Sequence, residues 1–213
     1  MKCDRKTLRL YAITDRMWVG KQTLMEQVES ALKGGATCIQ LREKQLDDSA
    51  FLAEAMAMKK LCQGYDVPFI INDNVDIAVK CQADGVHLGP GDLPPQKVRA
   101  LVGENMMIGV SARTLERAIQ AEKAGADYLG VGAVFTTTTK PDAQSISHDT
   151  VKEICQAVSI PVVAIGGISR QNILELSGTG VAGVALVSTV FAAEDIEVEC
   201  RNLRMLSEKM VSA

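Results

Sequence analysis

The chain has 213 residues, 47% hydrophobic and 23% charged, with 23 Lys and Arg against 26 Asp and Glu for a net charge of −3. That length suits one sizeable core better than two domains. The charge balance excludes a general nucleic-acid binder, which needs a basic face, and 4% aromatic residues argue against a stacking platform for single strands.

Two patterns alternate from one end to the other. Residues 1–7 are charged and carry no motif, and the run Leu8-Arg9-Leu10-Tyr11-Ala12-Ile13 reads as the first strand. Leu24, Val28 and Leu32 predict a helix that stops at Gly34-Gly35. Cys38-Ile39-Gln40-Leu41 is the second strand. A helix through Leu52, Ala55, Met58 and Leu61 follows it and ends near Gly64. Phe69-Ile70-Ile71 is the third strand, with a short helix around Ile77 and Val79. Gly85-Val86-His87-Leu88 is the fourth, and Pro94-Pro95 suits the first turn of a helix through Val98 and Leu101. Met107-Ile108-Gly109-Val110 is the fifth. Thr114 caps a helix through Leu115, Ala118 and Ile119 that stops before Gly125. Tyr128-Leu129-Gly130-Val131 is the sixth, and Val151, Ile154, Cys155 and Val158 form a helix after Asp149. Pro161-Val162-Val163-Ala164-Ile165 is the seventh, with Ile173 and Leu176 predicting a helix from Ser169 to Gly178. Gly183-Val184-Ala185-Leu186-Val187 is the eighth, and Ile196, Cys200, Leu203 and Met210 make the last helix.

Eight apolar strands alternating with helices predict a parallel sheet closed into a single-domain (β/α)8 TIM barrel over residues 1–213. Segments such as Gly35-Ala36-Thr37, Ala83-Asp84-Gly85 and Gly125-Ala126-Asp127 recur where helices turn back into strands. The first strand leads into Thr14-Asp15-Arg16, without the G-x-G-x-x-G turn of an open dinucleotide-binding sheet. The six cysteines make no C-x-x-C pair and read as small buried hydrophobes. No apolar stretch is long enough to span a bilayer, and the first is too short for a signal-peptide core, so a soluble cytoplasmic protein is expected.

In such a barrel the active site lies at the carboxyl ends of the strands, and the polar residues gather there. Gln40 and Arg42-Glu43-Lys44 belong to the second strand end, Asn72-Asp73-Asn74 to the third, Gly89, Gly91 and Asp92 to the fourth. Ser111 ends the fifth, and the sixth runs into Thr136-Thr137-Thr138-Thr139-Lys140. Gly166-Gly167 before a helix, beside Val187-Ser188, matches a phosphate cradle, although such glycines also serve plain tight turns. Arg42, Lys44 and Lys140 converge on one rim, which suggests a second and larger anion if they are not simply solvated. Asp73 and Asp92 are hard oxygen ligands for Mg2+ in the presence of a diphosphate, or Asp73 is a loop cap. His87 lies mid-strand and reads as a hydrogen-bonded interior residue rather than a base, and His148 as a surface residue.

Taken in order, Leu10-Tyr11-Ala12-Ile13-Thr14-Asp15, Gln40-Leu41-Arg42-Glu43-Lys44, Ile71-Asn72-Asp73, Val86-His87-Leu88-Gly89, Gly109-Val110-Ser111-Ala112, Thr139-Lys140 and Ala164-Ile165-Gly166-Gly167-Ile168 resemble the thiamine-phosphate synthase family. The resemblance implies a transferase joining a pyrimidine diphosphate to a thiazole phosphate with Mg2+. It implies pyrimidine diphosphate contacts from Gln40, Leu41, Arg42, Glu43, Lys44, Asn72, Ser111 and Lys140, with Arg42, Ser111 and Lys140 catalytic. It implies thiazole phosphate contacts from Thr137, Thr138, Thr139, Gly167, Val187 and Ser188, and metal ligation by Asp73 and Asp92. Small-molecule substrates are the implied partners, with no nucleic acid and no membrane.

Two alternatives remain at this stage. A thiazole tautomerase-like branch of the same superfamily carries a histidine beside the fifth strand, where this chain has Ser111-Ala112-Arg113. A non-catalytic sensor of thiamine precursors would have no use for the full charged set. The threonine-rich loop, with little to anchor it, is expected to close over bound substrate as a lid.

Overall fold

The computed structural model describes residues 3–137 and 145–213. Eight parallel strands close in sequence order, each hydrogen-bonded to the next and the last to the first. They are β1 (Leu10–Ile13), β2 (Cys38–Leu41), β3 (Phe69–Asn72), β4 (Gly85–Leu88), β5 (Met107–Ala112), β6 (Tyr128–Gly132), β7 (Val162–Ile165) and β8 (Gly183–Leu186). Around them lie α1 (Leu24–Lys33), α2 (Asp48–Gln63), α3 (Val75–Lys80), α4 (Pro95–Val102), α5 (Leu115–Lys123), α6 (His148–Ala157), α7 (Ser188–Phe191) and α8 (Ile196–Val211).

The helices start where side chains satisfy their first free N–H groups. Thr23 and Glu26 form a reciprocal capping box on α1, while Asp47, Asn74, Thr114, Ser147 and Asp195 cap α2, α3, α5, α6 and α8. Ser147 rather than Asp149 begins α6. A larger difference concerns the segment after β7, where the predicted helix from Ser169 is a 3-10 turn, Ile173–Leu176. Gly178 and Gly180 both take positive φ there, so the chain turns back to β8 after a single turn.

Alternation along each strand builds two cores. Leu10, Ala12, Ile39, Leu41, Ile71, Val86 and Leu129 face outward and pack with the helices. Tyr11, Ile13, Cys38, Ile70, Met107, Tyr128, Val163 and Ala185 fill the barrel. The amino-terminal residues close its lower end. Cys3 and Leu8 belong to the inner core, and Arg5 donates to the Gly180 carbonyl at 2.8 Å. On the same side Asp84 accepts from Phe69 N and Lys59, and Asp127 from Ile108 N and Arg99, tying helices to strand starts. All six cysteines are free, and five are buried. Among the described residues no helix is long and apolar enough to cross a membrane.

Candidate active site

The carboxyl end of the barrel divides into two halves. Over β5–β8 lies a cavity of about 650 Å3 whose walls include Ser111, Arg113, Thr137, Gly167, Val187 and Ser188. Of the residues expected to hold a thiazole phosphate, Thr137, Gly167, Val187 and Ser188 therefore share one cavity, with Ser111 on its wall. Thr138, Thr139 and Lys140, and with them most of the loop expected to act as a lid, lie outside the described residues.

The floor of that cavity depends on two glycines. Gly166 and Gly167 have φ of 100° and 66°. A side chain on Gly167 would overlap the Thr136 carbonyl and come within 2.8 Å of Phe135 Cβ. Asn172 fastens the turn by donating to the Gly167 carbonyl at 2.9 Å and accepting from Ser169 N at 2.8 Å. The cavity floor is thus a glycine turn and the loop entering α7, and only a 3-10 turn follows β7.

The half over β2–β4 is charged. Arg42 is aimed by Asp15, whose carboxylate accepts its Nη1 at 2.9 Å, and its backbone N–H donates to the buried Thr14 hydroxyl at 3.1 Å. Lys44 Nζ donates to Asp73 Oδ2 at 2.5 Å. Asp92 accepts from Gly89 N at 2.6 Å, and the carboxylates of Asp73 and Asp92 both border Gly89. Burial by itself would push the Asp73 carboxyl up, but Lys44 and a hydrogen bond shared with Asp92 hold it below its ordinary value. Burial and the facing Asp73 carboxylate raise Asp92 against the pull of Gly89 N–H. Asp73 also has φ of 64°, an unusual conformation for a residue with a side chain, and its N–H donates to the His87 carbonyl. The two carboxyls thus share a proton side by side, and their oxygens are suited to a cation that would take that proton's place. Among the described residues no group of three or more His, Cys, Asp or Glu side chains converges, so further ligands would have to come from a bound molecule or water.

Glu43 and Leu41 sit differently from their neighbours. Glu43 is buried, and its carboxylate accepts from Lys44 N, Gln45 N, Leu46 N and Arg16 Nε; Arg16 is held in turn by Glu54 at 2.6 Å. Burial would raise the Glu43 carboxyl, but these donors together hold it below its ordinary value. The carboxylate is committed to shaping the loop that carries Lys44. Leu41 is fully buried in the outer core, so only its backbone is available to a ligand. Gln40 and Asn72, in contrast, share the inward face of their strands with Cys38 and Ile70.

His87 is an interior residue as its position suggested. Its Nδ1 lies 3.1 Å from the Tyr128 hydroxyl and its Nε2 2.9 Å from Ser111 Oγ. His148 opens α6 with its ring edge against Phe135. Asp15, Arg16 and Arg113 were not singled out in the sequence as site residues. All three lie within three residues of a strand's carboxyl end, and that position was the available signal.

Comparison with known proteins adds a family. The family profile described as thiamine monophosphate synthase matches residues 10–190. A thiamine-phosphate synthase of Enterococcus faecalis is 46% identical over 209 residues, covering 98% of this chain and 99% of that protein. One of Clostridioides difficile is 48% identical over 195 residues, covering 92% and 93%. A thiamine phosphate pyrophosphorylase from Pyrococcus furiosus superposes with a TM-score of 0.90 at 42% identity, covering 97% of this chain and 98% of that one.

Proposed function

The chain belongs to the thiamine monophosphate synthase family, a family of transferases, and we propose that it joins 4-amino-5-hydroxymethyl-2-methylpyrimidine diphosphate to 4-methyl-5-(2-phosphooxyethyl)thiazole, giving thiamine monophosphate and diphosphate. One observation supports this reading: the barrel mouth has two regions of different chemistry, each suited to an anion. One is a cavity of about 650 Å3 floored by a glycine turn, and the other is a rim bearing Arg42, Lys44 and an acidic pair.

Gln40 and Asn72 face the pyrimidine from the barrel interior. Arg42, aimed by Asp15, and Lys44 and Lys140 lie against the diphosphate, while Glu43 and Leu41 act through the loop backbone. Thr137, Thr138, Thr139, Gly167, Val187 and Ser188 hold the thiazole phosphate. The bond between the pyrimidine methylene and the diphosphate oxygen breaks, and its electron pair leaves with diphosphate. The aminopyrimidine ring donates into the resulting cation, and the thiazole nitrogen lone pair forms the new C–N bond. That nitrogen loses no proton, so no residue serves as its base. The chain's task is to aim the nitrogen, neutralise the departing charge and exclude water.

Asp73 and Asp92 suit Mg2+ by the chemistry of their donors, supplying two of the about six oxygen ligands the ion takes. When bound there, the ion supplies charge neutralisation to the leaving diphosphate. The test is to mix both precursors with Mg2+ and follow products. One diphosphate should appear per thiamine monophosphate, none with either precursor alone, and none in EDTA. Diphosphate release without the thiazole at an equal rate would show a hydrolase instead, and full activity without metal would exclude the metal role.

A further inference from the structure

A continuous line of hydrogen bonds crosses the inside of the barrel from Gln40 to Ser111. Gln40 Nε2 donates to the Tyr11 hydroxyl at 2.7 Å, and the Tyr11 and Tyr128 hydroxyls are 2.8 Å apart. Tyr128 lies 3.1 Å from His87 Nδ1, and His87 Nε2 lies 2.9 Å from Ser111 Oγ. Both tyrosines are fully buried, and burial pushes both phenols well above their ordinary range, so each keeps its proton. The Cys38 thiol also touches Tyr11, but burial keeps it protonated, a weak partner beside the neighbouring phenol.

This line has a direction. An amide nitrogen only donates, and each phenol has one hydrogen. Tyr11 accepts from Gln40 and therefore donates to Tyr128. Tyr128 accepts that bond and donates to His87 Nδ1. The imidazole must then carry its hydrogen on Nε2, which donates to Ser111 Oγ. Ser111 accepts, and its own hydrogen is left to point into the cavity it lines.

The strands are built to allow this. A side chain on Gly109, in the middle of β5, would overlap the Tyr128 ring and come within 2.6 Å of His87 Nδ1. A side chain on Gly130 would come within 3.1 Å of His87 Cε1. Glycine weakens a strand interior, and here it clears the space in which Tyr128 and His87 meet.

We infer that Tyr11, Tyr128 and His87 are positioning residues that hold Ser111 as a hydrogen-bond donor toward an acceptor atom of the bound pyrimidine diphosphate. Only the identity of that ligand rests on the function proposed above. The reversed line would instead put the hydrogen on Nδ1 and leave Ser111 facing the ligand as an acceptor.

The two directions differ in the histidine tautomer, which nitrogen NMR reads in the free, full-length protein without any reaction. The chain has two histidines, so His148→Gln assigns His87. We expect Nε2 protonated and Nδ1 bare in the wild type, with Nδ1 moving toward the protonated range in Tyr128→Phe. A hydrogen on Nδ1 in the wild type overturns the inference, whether or not any variant folds. Nitrogen shifts of His87 unchanged by Tyr128→Phe overturn it as well. In turnover, Tyr128→Phe should lower kcat/KM for the pyrimidine diphosphate about fivefold to tenfold, an ordinary neutral hydrogen bond's worth, and leave KM for the thiazole phosphate within about twofold. His87→Gln, which can still present an N–H to Ser111, should retain more activity than His87→Ala. Equal loss in both would reduce His87 to a packing role. A wild-type protein with the expected tautomer but no synthase activity would refute the proposed function and leave the hydrogen-bond direction standing.

Discussion

Lys44 Nζ sits 2.5 Å from Asp73 Oδ2, so an ammonium already occupies one of the two carboxylates suited to a divalent cation. Under the proposed function, lysine and metal would compete for Asp73 until a diphosphate drew the lysine away. Lys44→Met should therefore tighten Mn2+ or Mg2+ binding to the free protein while weakening diphosphate binding. The pair is half-exposed and worth up to about 1 kcal/mol, so the gain in metal affinity should be roughly twofold to fivefold. Calorimetric titration with metal alone, then with diphosphate, separates the two effects. Weaker metal binding in Lys44→Met would refute the competition.

Glu43 should act through stability. Its carboxylate takes three backbone N–H groups and Arg16 while buried, so Glu43→Gln should cost roughly 1.5–3 kcal/mol in urea unfolding. The folded-state pKa lies below the unfolded one. The charged group's contribution is therefore full above the unfolded value of about 4.3 and is lost as pH falls through the folded value. The difference between wild type and Glu43→Gln should narrow below about pH 4. A constant difference down to the acid transition would contradict this.

Gly167 is the position where a single methyl group should separate fold from site. At φ 66° and against Phe135 and Thr136, Gly167→Ala should destabilise by about 1–3 kcal/mol. It should also raise KM for the thiazole phosphate more than KM for the pyrimidine diphosphate, because the proposed function puts only the former over this turn. Steady-state kinetics with each substrate varied in turn decide it, and an equal rise in both would remove Gly167 from the thiazole phosphate site.

Order of bond breaking is testable with the substrate. A trifluoromethyl group in place of the pyrimidine methyl withdraws electrons and should slow coupling by orders of magnitude if a cation forms first, since each ~1.4 kcal/mol is about tenfold. Single-turnover rates within a factor of about three of the natural substrate would indicate direct displacement.

The closed barrel was readable from the sequence because its signals are local. Eight apolar runs, capping residues such as Thr114, and returns such as Gly34-Gly35 each report on a few neighbouring residues, and strand order follows from the short connections between them. Polar residues at strand ends, among them Arg42, Asp73 and Ser111, were equally visible because the fold sends them to one rim. Direction and partnership depended on tertiary structure. Whether Ser169 started a helix turned on Asn172, which ties Ser169 and Gly167 into a turn, and on Gly178 and Gly180, whose positive φ returns the chain to β8. Whether Glu43 faced a ligand turned on Arg16 and Glu54, which reach it from other elements. What Gly109 does inside the fifth strand shows only where Tyr128 and His87 meet over it. Pattern along a chain encodes which face a residue takes, whereas hydrogen-bond partners are set by distances between residues far apart in sequence, and only packing brings those within 3 Å.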